Sequence, residues 1–370
     1  MNRIPILVFI AASLACAHAE LKPVVWPDPP DAPRIRFVRA FKHTDDLDGS
    51  GWASMRRTVL GGSNDPSLVQ PMGLAVSADG QRVYIADYSL GAVLVADLAG
   101  RSLQLFARDE PKGKAFNVAL DAEENVYVSD PIGGVVRVFS RAGKSLLAIG
   151  NKQLERPTGI AVDQKNKLLY VSDTSRRKSE NHRVRVFDLA GKWLRDLGAQ
   201  EGRPSKGNED GQWHFPTYIA IDPTSGDVYV GDTMNFRIQV FSAAGVFQRK
   251  YGENGDSPGT FARIKGLAFD SLGNLYIVDG DHSNVQLFDK QFHPLMFFGG
   301  YARKLEYFDI PSGIAIDPLT NRIYVCNEYI ARINTYELIN GGPDETTRAQ
   351  RPTIAVAPRQ PEVPKPAKAP

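Results

Sequence analysis

One short pattern recurs six times along this chain and leaves little freedom for its fold. The clearest copy is the stretch 215–252, FPTYIAIDPTSGDVYVGDTMNFRIQVFSAAGVFQRKYG. Four apolar segments lie within it, at 218–221, 228–230, 237–241 and 246–251. Each is too short for a helix and rich in Val, Ile, Phe and Tyr. Asp-Pro, Ser-Gly, Met-Asn and Ala-Gly bound them, so each reads as a strand. Four strands joined by tight turns make an antiparallel meander.

The first strand returns as GLAV at Gly73, NVALD at Asn117, GIAVD at Gly159, YIAID at Tyr218, GLAFD at Gly266 and GIAID at Gly313. Its central alanines, Ala75, Ala119, Ala161, Ala220, Ala268 and Ala315, are spaced by 44, 42, 59, 48 and 47 residues. The second strand returns around Tyr84, Tyr127, Tyr170, Tyr229, Tyr276 and Tyr324. A four-stranded unit at this period predicts an all-β, six-bladed β-propeller over 34–339, in which no blade buries its own faces. First strands crowd the axis, where Gly and Ala fit. The aromatic positions lie farther out and fill the volume between blades.

Ring closure is also written in the sequence. Phe37-Val38-Arg39-Ala40-Phe41 has the pattern of the fourth strands Trp193-Leu194-Arg195-Asp196-Leu197 and Phe247-Gln248-Arg249-Lys250-Tyr251. The last repeat stops after its third strand, Arg332 to Tyr336. Residues 34–41 are therefore expected to complete blade six and remove two exposed sheet edges.

The ends read differently. Residues 1–19 form an export signal, with Arg3 as the positive start, an apolar run too short for a bilayer, and Ala17-His18-Ala19 as the cleavage site. Ser13-Leu14-Ala15-Cys16 also reads as a loose lipobox, so lipid anchoring through Cys16 stands beside plain secretion. Cys326 is then the one unmodified thiol of the mature chain, and no internal disulfide forms. Residues 20–33 carry five prolines and are expected to run extended without regular pairing. Trp52, Met55 and Val59 suggest a short amphipathic helix over 51–60. Residues 340–370 are rich in Pro, Ala and Lys and read as a solvated tail.

Asp232–Phe241 (DTMNFRIQVF) and Ser179–Asp188 (SENHRVRVFD), with the FPTYIAID and RPTGIAVD first strands, resemble the NHL repeat family. The resemblance covers about residues 70 to 340, and with the signal it points to bacterial exported NHL-repeat proteins. Blade one departs most, with Ala96 where the other blades carry Phe139, Phe187, Phe241, Phe288 or Tyr336. The family contains both binders and enzymes. Its peptide-amidating lyases hold zinc through histidines at the start of strand one. Here those places are Met72, Phe116, Thr158, Thr217, Lys265 and Ser312, which rules out that set. No convincing counterpart appears for the channel carboxylates and amide of lactonase-type propellers. Nucleic-acid binding, known for some animal members, does not suit a chain with 44 basic against 42 acidic residues.

Several residues are candidates for ligand binding on the face that carries the inter-blade loops. Asn117 and Tyr218 replace Gly at the start of strand one and bring side chains to the channel mouth. Thr217, Lys265 and the basic loop Arg176, Arg177 and Lys178 lie beside them. A plug of the channel by Tyr218 is the competing reading. His182, His214 and His282 map to the same face, with Trp213 as a loop anchor. Three imidazoles can hold zinc, but His182 lies in a spelling of the turn common to the family. Asp87, Asp130, Asp173, Asp232, Asp279 and Asn327 ring one rim. Local turn bonding explains them better than a cation site. Arg183, Arg237 and Arg332 are expected to pair with Asp173, Asp232 and Asn327.

These features point to a non-enzymatic binding propeller of the cell envelope or periplasm. Its partner is a protein segment or an envelope glycan, not nucleic acid. The membrane is involved only through a lipidated Cys16. No metal or cofactor is expected, a structural calcium in the channel being compatible with this reading. The alternative is an exported lyase or lactonase using a channel cation.

Overall fold

A computed structural model describes residues 23–48, 65–107, 113–175, 179–198 and 204–339. Its strands form six antiparallel sheets, five of four strands and one of five. Blades one to five take their strands from contiguous chain, at 71–105, 118–149, 157–196, 216–251 and 264–299. The first strand of each blade lies on the axis and the fourth at the rim. The chain is an all-β six-bladed propeller, as its repeats predict.

Blade six is assembled from both ends of the ring. Pro311–Ile316, Arg322–Asn327 and Arg332–Leu338 supply three strands, and Ile35–Phe41 supplies the fourth. Phe37 stands opposite Tyr336 and Phe41 opposite Ile333. The Phe37 and Tyr336 rings meet edge-on at 5.7 Å. The expected closure is present, with one addition. Val25–Trp26 pairs with Ile35 and Arg36 as a fifth strand, which corrects the expectation that 20–33 runs unpaired. The reason is Trp26, which wedges between blades five and six, 6.1 Å from the Phe298 ring and 5.7 Å from that of Tyr336. Burying such a side chain contributes on the order of 3 kcal/mol, enough to order a proline-rich strand.

The apolar core is divided into six wedges, one between each pair of neighbouring blades. At the axis backbone meets backbone. A Cβ on Gly159 would stand 1.7 Å from the Thr217 carbonyl oxygen, and one on Gly313 would stand 2.5 Å from that of Met72. Only glycine permits this approach.

The six strand-two tyrosines are buried, and a buried hydroxyl needs a partner. Tyr84, Tyr127 and Tyr276 donate to Glu124, Asp121 and Asp270 at 2.9, 3.2 and 3.2 Å. Tyr229 accepts from Arg249 on its own fourth strand at 3.1 Å. Arg195 and Arg39 act electrostatically on Tyr170 and Tyr324 from the same strand position.

The export signal, the 51–60 helix and the tail lie outside the described residues. A helix not anticipated from sequence, Thr44–Asp48, follows the closing strand. Asp46 holds the turn into it, accepting from the Lys42 and His43 amides at 2.8 and 3.0 Å.

Candidate functional site

The loop-rich face is built on a staple used in every blade. The carboxylate ending strand two accepts amide hydrogens from the connection that leads into its own first strand. Asp87 accepts from Val69 at 2.7 Å, Asp173 from Arg156 at 2.8 Å, Asp232 from His214 at 2.6 Å and Asp279 from Ala262 at 2.8 Å. Asp130 accepts from Lys114 at 3.2 Å, and the Asn327 amide oxygen accepts from Asp309 at 2.9 Å. Burial pushes the Asp173 and Asp232 carboxyls up, against the pull of these bonds. Arg183 and Arg237 pair with Asp173 and Asp232 as expected, at 3.1 and 2.8 Å, and Arg137 does the same for Asp130 at 2.7 Å. Arg332 does not pair with Asn327. It donates to the Lys304 and Tyr307 carbonyls and to the Asn334 amide oxygen instead. Among the described residues no group of three or more His, Cys, Asp and Glu is placed to hold a metal.

Inside this rim the axis is sealed. Tyr218 is buried and crosses from blade four to blade one, where its hydroxyl donates to the Met72 carbonyl at 3.1 Å. Phe116 of blade two packs on its ring at 5.9 Å. Asn117 turns its side chain back onto its own strand, accepting from the Val118 amide at 2.7 Å. Thr217 shares a hydrogen with Thr233 at 2.5 Å. Lys265 is buried and paired with Glu328, whose second oxygen accepts from Gln70 at 2.9 Å. Blades one, five and six are thereby tied together. Tyr218 and Asn117 thus bond within the ring, to the Met72 carbonyl and to the Val118 amide, an arrangement compatible with a plug of the axis.

The histidines do not converge on one point. His182 is buried, and its Nδ1 accepts from the Phe215 amide at 3.2 Å. Burial, helped by His214 and Lys206, brings its pKa down to about 4, so it stays neutral. The His214 ring stands edge-on to it at 5.7 Å. His282 lies between Asp279 and Asp256, each at 3.1 Å. Trp213 is the buried anchor expected of the long loop into blade four. Arg176, Arg177 and Lys178 lie outside the described residues.

Two of the blades match the NHL repeat family. The matched residues are 154–187 and 214–241, which cover blade three through its third strand and the same part of blade four. The NHL-type match extends to curated proteins. The chain is 28% identical over 148 residues to protein brain tumor of Drosophila melanogaster, covering 40% of this chain and 13% of that protein. It is 27% identical over 186 residues to NHL repeat-containing protein 3 of Mus musculus, covering 48% of this chain and 52% of the relative. The chain therefore spans about half or less of the length of these relatives. Among solved structures it is similar to a gluconolactonase from Xanthomonas campestris, with a TM-score of 0.57 at 15% identity over 74% of this chain and 87% of that one. A likeness at that identity shows the shared fold.

Around the seal of this propeller stand exposed apolar side chains that the repeat pattern does not single out. Tyr329, Tyr301 and Ile132 are 74, 66 and 62% exposed at the tips of the connections, joined by Met234 and Val69. Ile132 and Tyr329 sit in the turns after strand two, Met234 in the short helix Thr233–Asn235, and Val69 and Tyr301 in the connections into blades one and six; no periodicity marks them in the sequence. The opposite face also carries exposed apolar tips, Val246, Leu319 and Leu272, and differs at the axis. There the axial channel opens as a cavity of about 780 Å³, walled by Ala75, Val76, Leu120, Ala161, Val162, Ile221 and Ile316. Glu124 stands at its mouth, held by Arg82 at 2.7 Å, Arg141 at 3.3 Å and the Tyr84 hydroxyl. Such a committed carboxylate is poorly suited to bind a cation.

Proposed function

We propose that the protein is a non-enzymatic recognition propeller acting outside the cytoplasm, and that it binds a protein segment on its loop-rich face. The observation that carries this reading is the pairing of a sealed axis with a ring of exposed apolar tips. Tyr329, Tyr301, Ile132, Met234 and Val69 present contact area that water solvates poorly, on a frame fixed by six staples. Aromatic and Met side chains in that setting are typical anchors of protein interfaces. An apolar ring favours a protein segment over an envelope glycan as the partner. The Arg3-led apolar start of the sequence supports export, with or without lipidation at Cys16.

The test is cross-linking in the native envelope followed by recovery of the bound partner, with wild type beside Tyr329→Asp and Ile132→Asp. Both variants should melt like wild type and lose the partner at least tenfold. The enzymatic alternative predicts something else: one tightly bound metal per chain, and lactone or lyase turnover abolished by chelation. That result, with partner capture indifferent to Tyr329→Asp, would reverse the reading.

A further inference from the structure

The outermost strand of a blade offers an edge to which another chain can pair, and folded proteins guard such edges with charge or cover. In blade one the helix Thr44–Asp48 lies along the strand Ser102–Leu105, whose Leu103 amide donates to the Thr44 hydroxyl at 3.1 Å. Blades three and four carry charge on the strand itself, Arg195 with Asp196 and Arg249 with Lys250. In blade six Val25–Trp26 is already paired on the outer strand. Blade two's Ser145–Ile149 is uncharged but stands between two exposed lysines, Lys144 and Lys152. Lysines beside an edge oppose pairing.

Blade five is the exception. Its outer strand, Pro294–Gly299, reads PLMFFG, and no Lys, Arg, Asp or Glu falls between Lys290 and Arg303. Leu295 and Phe297 are 38 and 56% exposed. Among the described residues no strand lies beyond it. One bond fixes which way its backbone faces: the Gly300 amide donates inward to the Ser283 carbonyl at 2.8 Å. Phe298 with Val285 and Met296 with Leu287 continue that register, up to a bulge at Leu295. Alternation along an antiparallel ladder then points the N–H and C=O of Phe297 and of Gly299 outward, with the Leu295 carbonyl beside them. The most exposed side chain of the strand thus belongs to a residue whose backbone groups also face out.

This edge is complementary to itself. With Phe297 on a two-fold axis, two antiparallel copies place Phe297 against Phe297 and Leu295 against Gly299. Gly299 has no side chain, so Leu295 has room. On the other face Met296 meets Phe298. About four backbone hydrogen bonds form across such a pair, and no like charges meet within it. The same operation about the centre of blade four's Phe247–Tyr251 would set Arg249 against Arg249.

We propose that the protein forms a two-fold dimer through antiparallel pairing of the blade-five edge strands. The two sheets become one continuous sheet across the rim, and the loop-rich faces stay open. The inference rests on no part of the recognition reading. A contact of one strand per chain lies below the standard interface of about 800 Å² per partner, so the dimer is weak, with a dissociation constant on the order of 10 µM.

Sedimentation velocity on the whole protein, from about 1 to about 200 µM, should show a reversible monomer–dimer equilibrium. Phe297→Lys should weaken it at least tenfold and leave the melting temperature unchanged, because the side chain is exposed. Leu146→Lys on blade two should leave it intact. Facing residues of a hydrogen-bonded antiparallel pair have Cα atoms about 5.5 Å apart, within disulfide reach. With Cys16 and Cys326 changed to Ser, Phe297→Cys should therefore oxidise to a covalent dimer, and Gln248→Cys, exposed on blade four, should not. A monomer across the whole range would overturn the proposal. A dimer indifferent to Phe297→Lys but dissolved by Leu146→Lys would overturn blade five as the place.

Discussion

Blade four and blade six are the same object built in two ways. Blade four takes its strands from 216–251 without interruption. Blade six joins three strands from one end of the ring to Ile35–Phe41 from the other, across 301 positions of sequence between the paired Arg36 and Glu337. Both place an arginine at the centre of strand four beside the strand-two tyrosine. In blade four the result is a made bond, Arg249 to the Tyr229 hydroxyl at 3.1 Å. In blade six Arg39 is more deeply buried, donates to the Leu47 carbonyl at 3.2 Å, and has its pKa brought down to about 10 by burial. Blade six makes up the difference elsewhere, with Trp26, Phe37, Phe298 and Phe308 gathered around Tyr336. Blade four also joins its third and fourth strands through an edge-on pair, Phe241 and Phe247 at 5.7 Å; what the join of two distant segments adds is Trp26 and the Phe298 ring of blade five.

The largest effect should come from emptying that cluster. Phe37→Ala is expected to cost about 3–5 kcal/mol, measured by urea unfolding, and removal of 24–41 should abolish cooperative melting. A loss under 1 kcal/mol for Phe37→Ala would mean that the aromatic join is not what closes the ring. Next, Arg249→Met strands the Tyr229 hydroxyl and should cost about 1–3 kcal/mol. Arg39→Met removes a cation that its surroundings already disfavour and should cost less. Equal losses would erase the contrast between the two blades. Tyr218→Phe, which leaves the Met72 carbonyl unpaired, should cost about 1 kcal/mol without changing partner capture.

A further test concerns pH. His182 has its folded pKa lowered to about 4, chiefly by burial, against an ordinary value near 6.5. A depressed folded pKa means the neutral ring is favoured in the native state. Its contribution is present above about pH 6.5 and is lost as pH falls towards 4. His182→Gln should therefore lose less melting temperature than wild type between pH 7 and 4.5. Identical losses would show that the ring is solvated in the folded protein.

The fold was legible because its determinants are local and repeated. Gly73, Gly159, Gly266 and Gly313 announce close backbone approach, and the six tyrosines mark the second strands. Even closure could be read, since Arg39 stands in the register of Arg195 and Arg249. The Val25–Trp26 strand was hidden by its prolines, because propensity cannot see that Trp26 will land between Phe298 and Tyr336. The site was less legible. Tyr218 was visible as a departure from Gly, but its 3.1 Å bond across the axis to Met72 of blade one could not be read from the sequence. Exposed turn residues such as Tyr329 and Ile132 obey no periodicity, and their assembly into one ring exists only once six blades share an axis.

Everything on the loop-rich face depends on residues 35–41 lying beside the strand Arg332–Leu338. Arg36 and Glu337 are paired in register and exposed enough to replace. With Cys16 and Cys326 changed to Ser, the double variant Arg36→Cys and Glu337→Cys should form a disulfide on mild oxidation. The oxidised chain should migrate faster than the reduced one on a denaturing gel and melt at a higher temperature. Failure to cross-link in the folded protein, while each single variant folds normally, would contradict the closed ring.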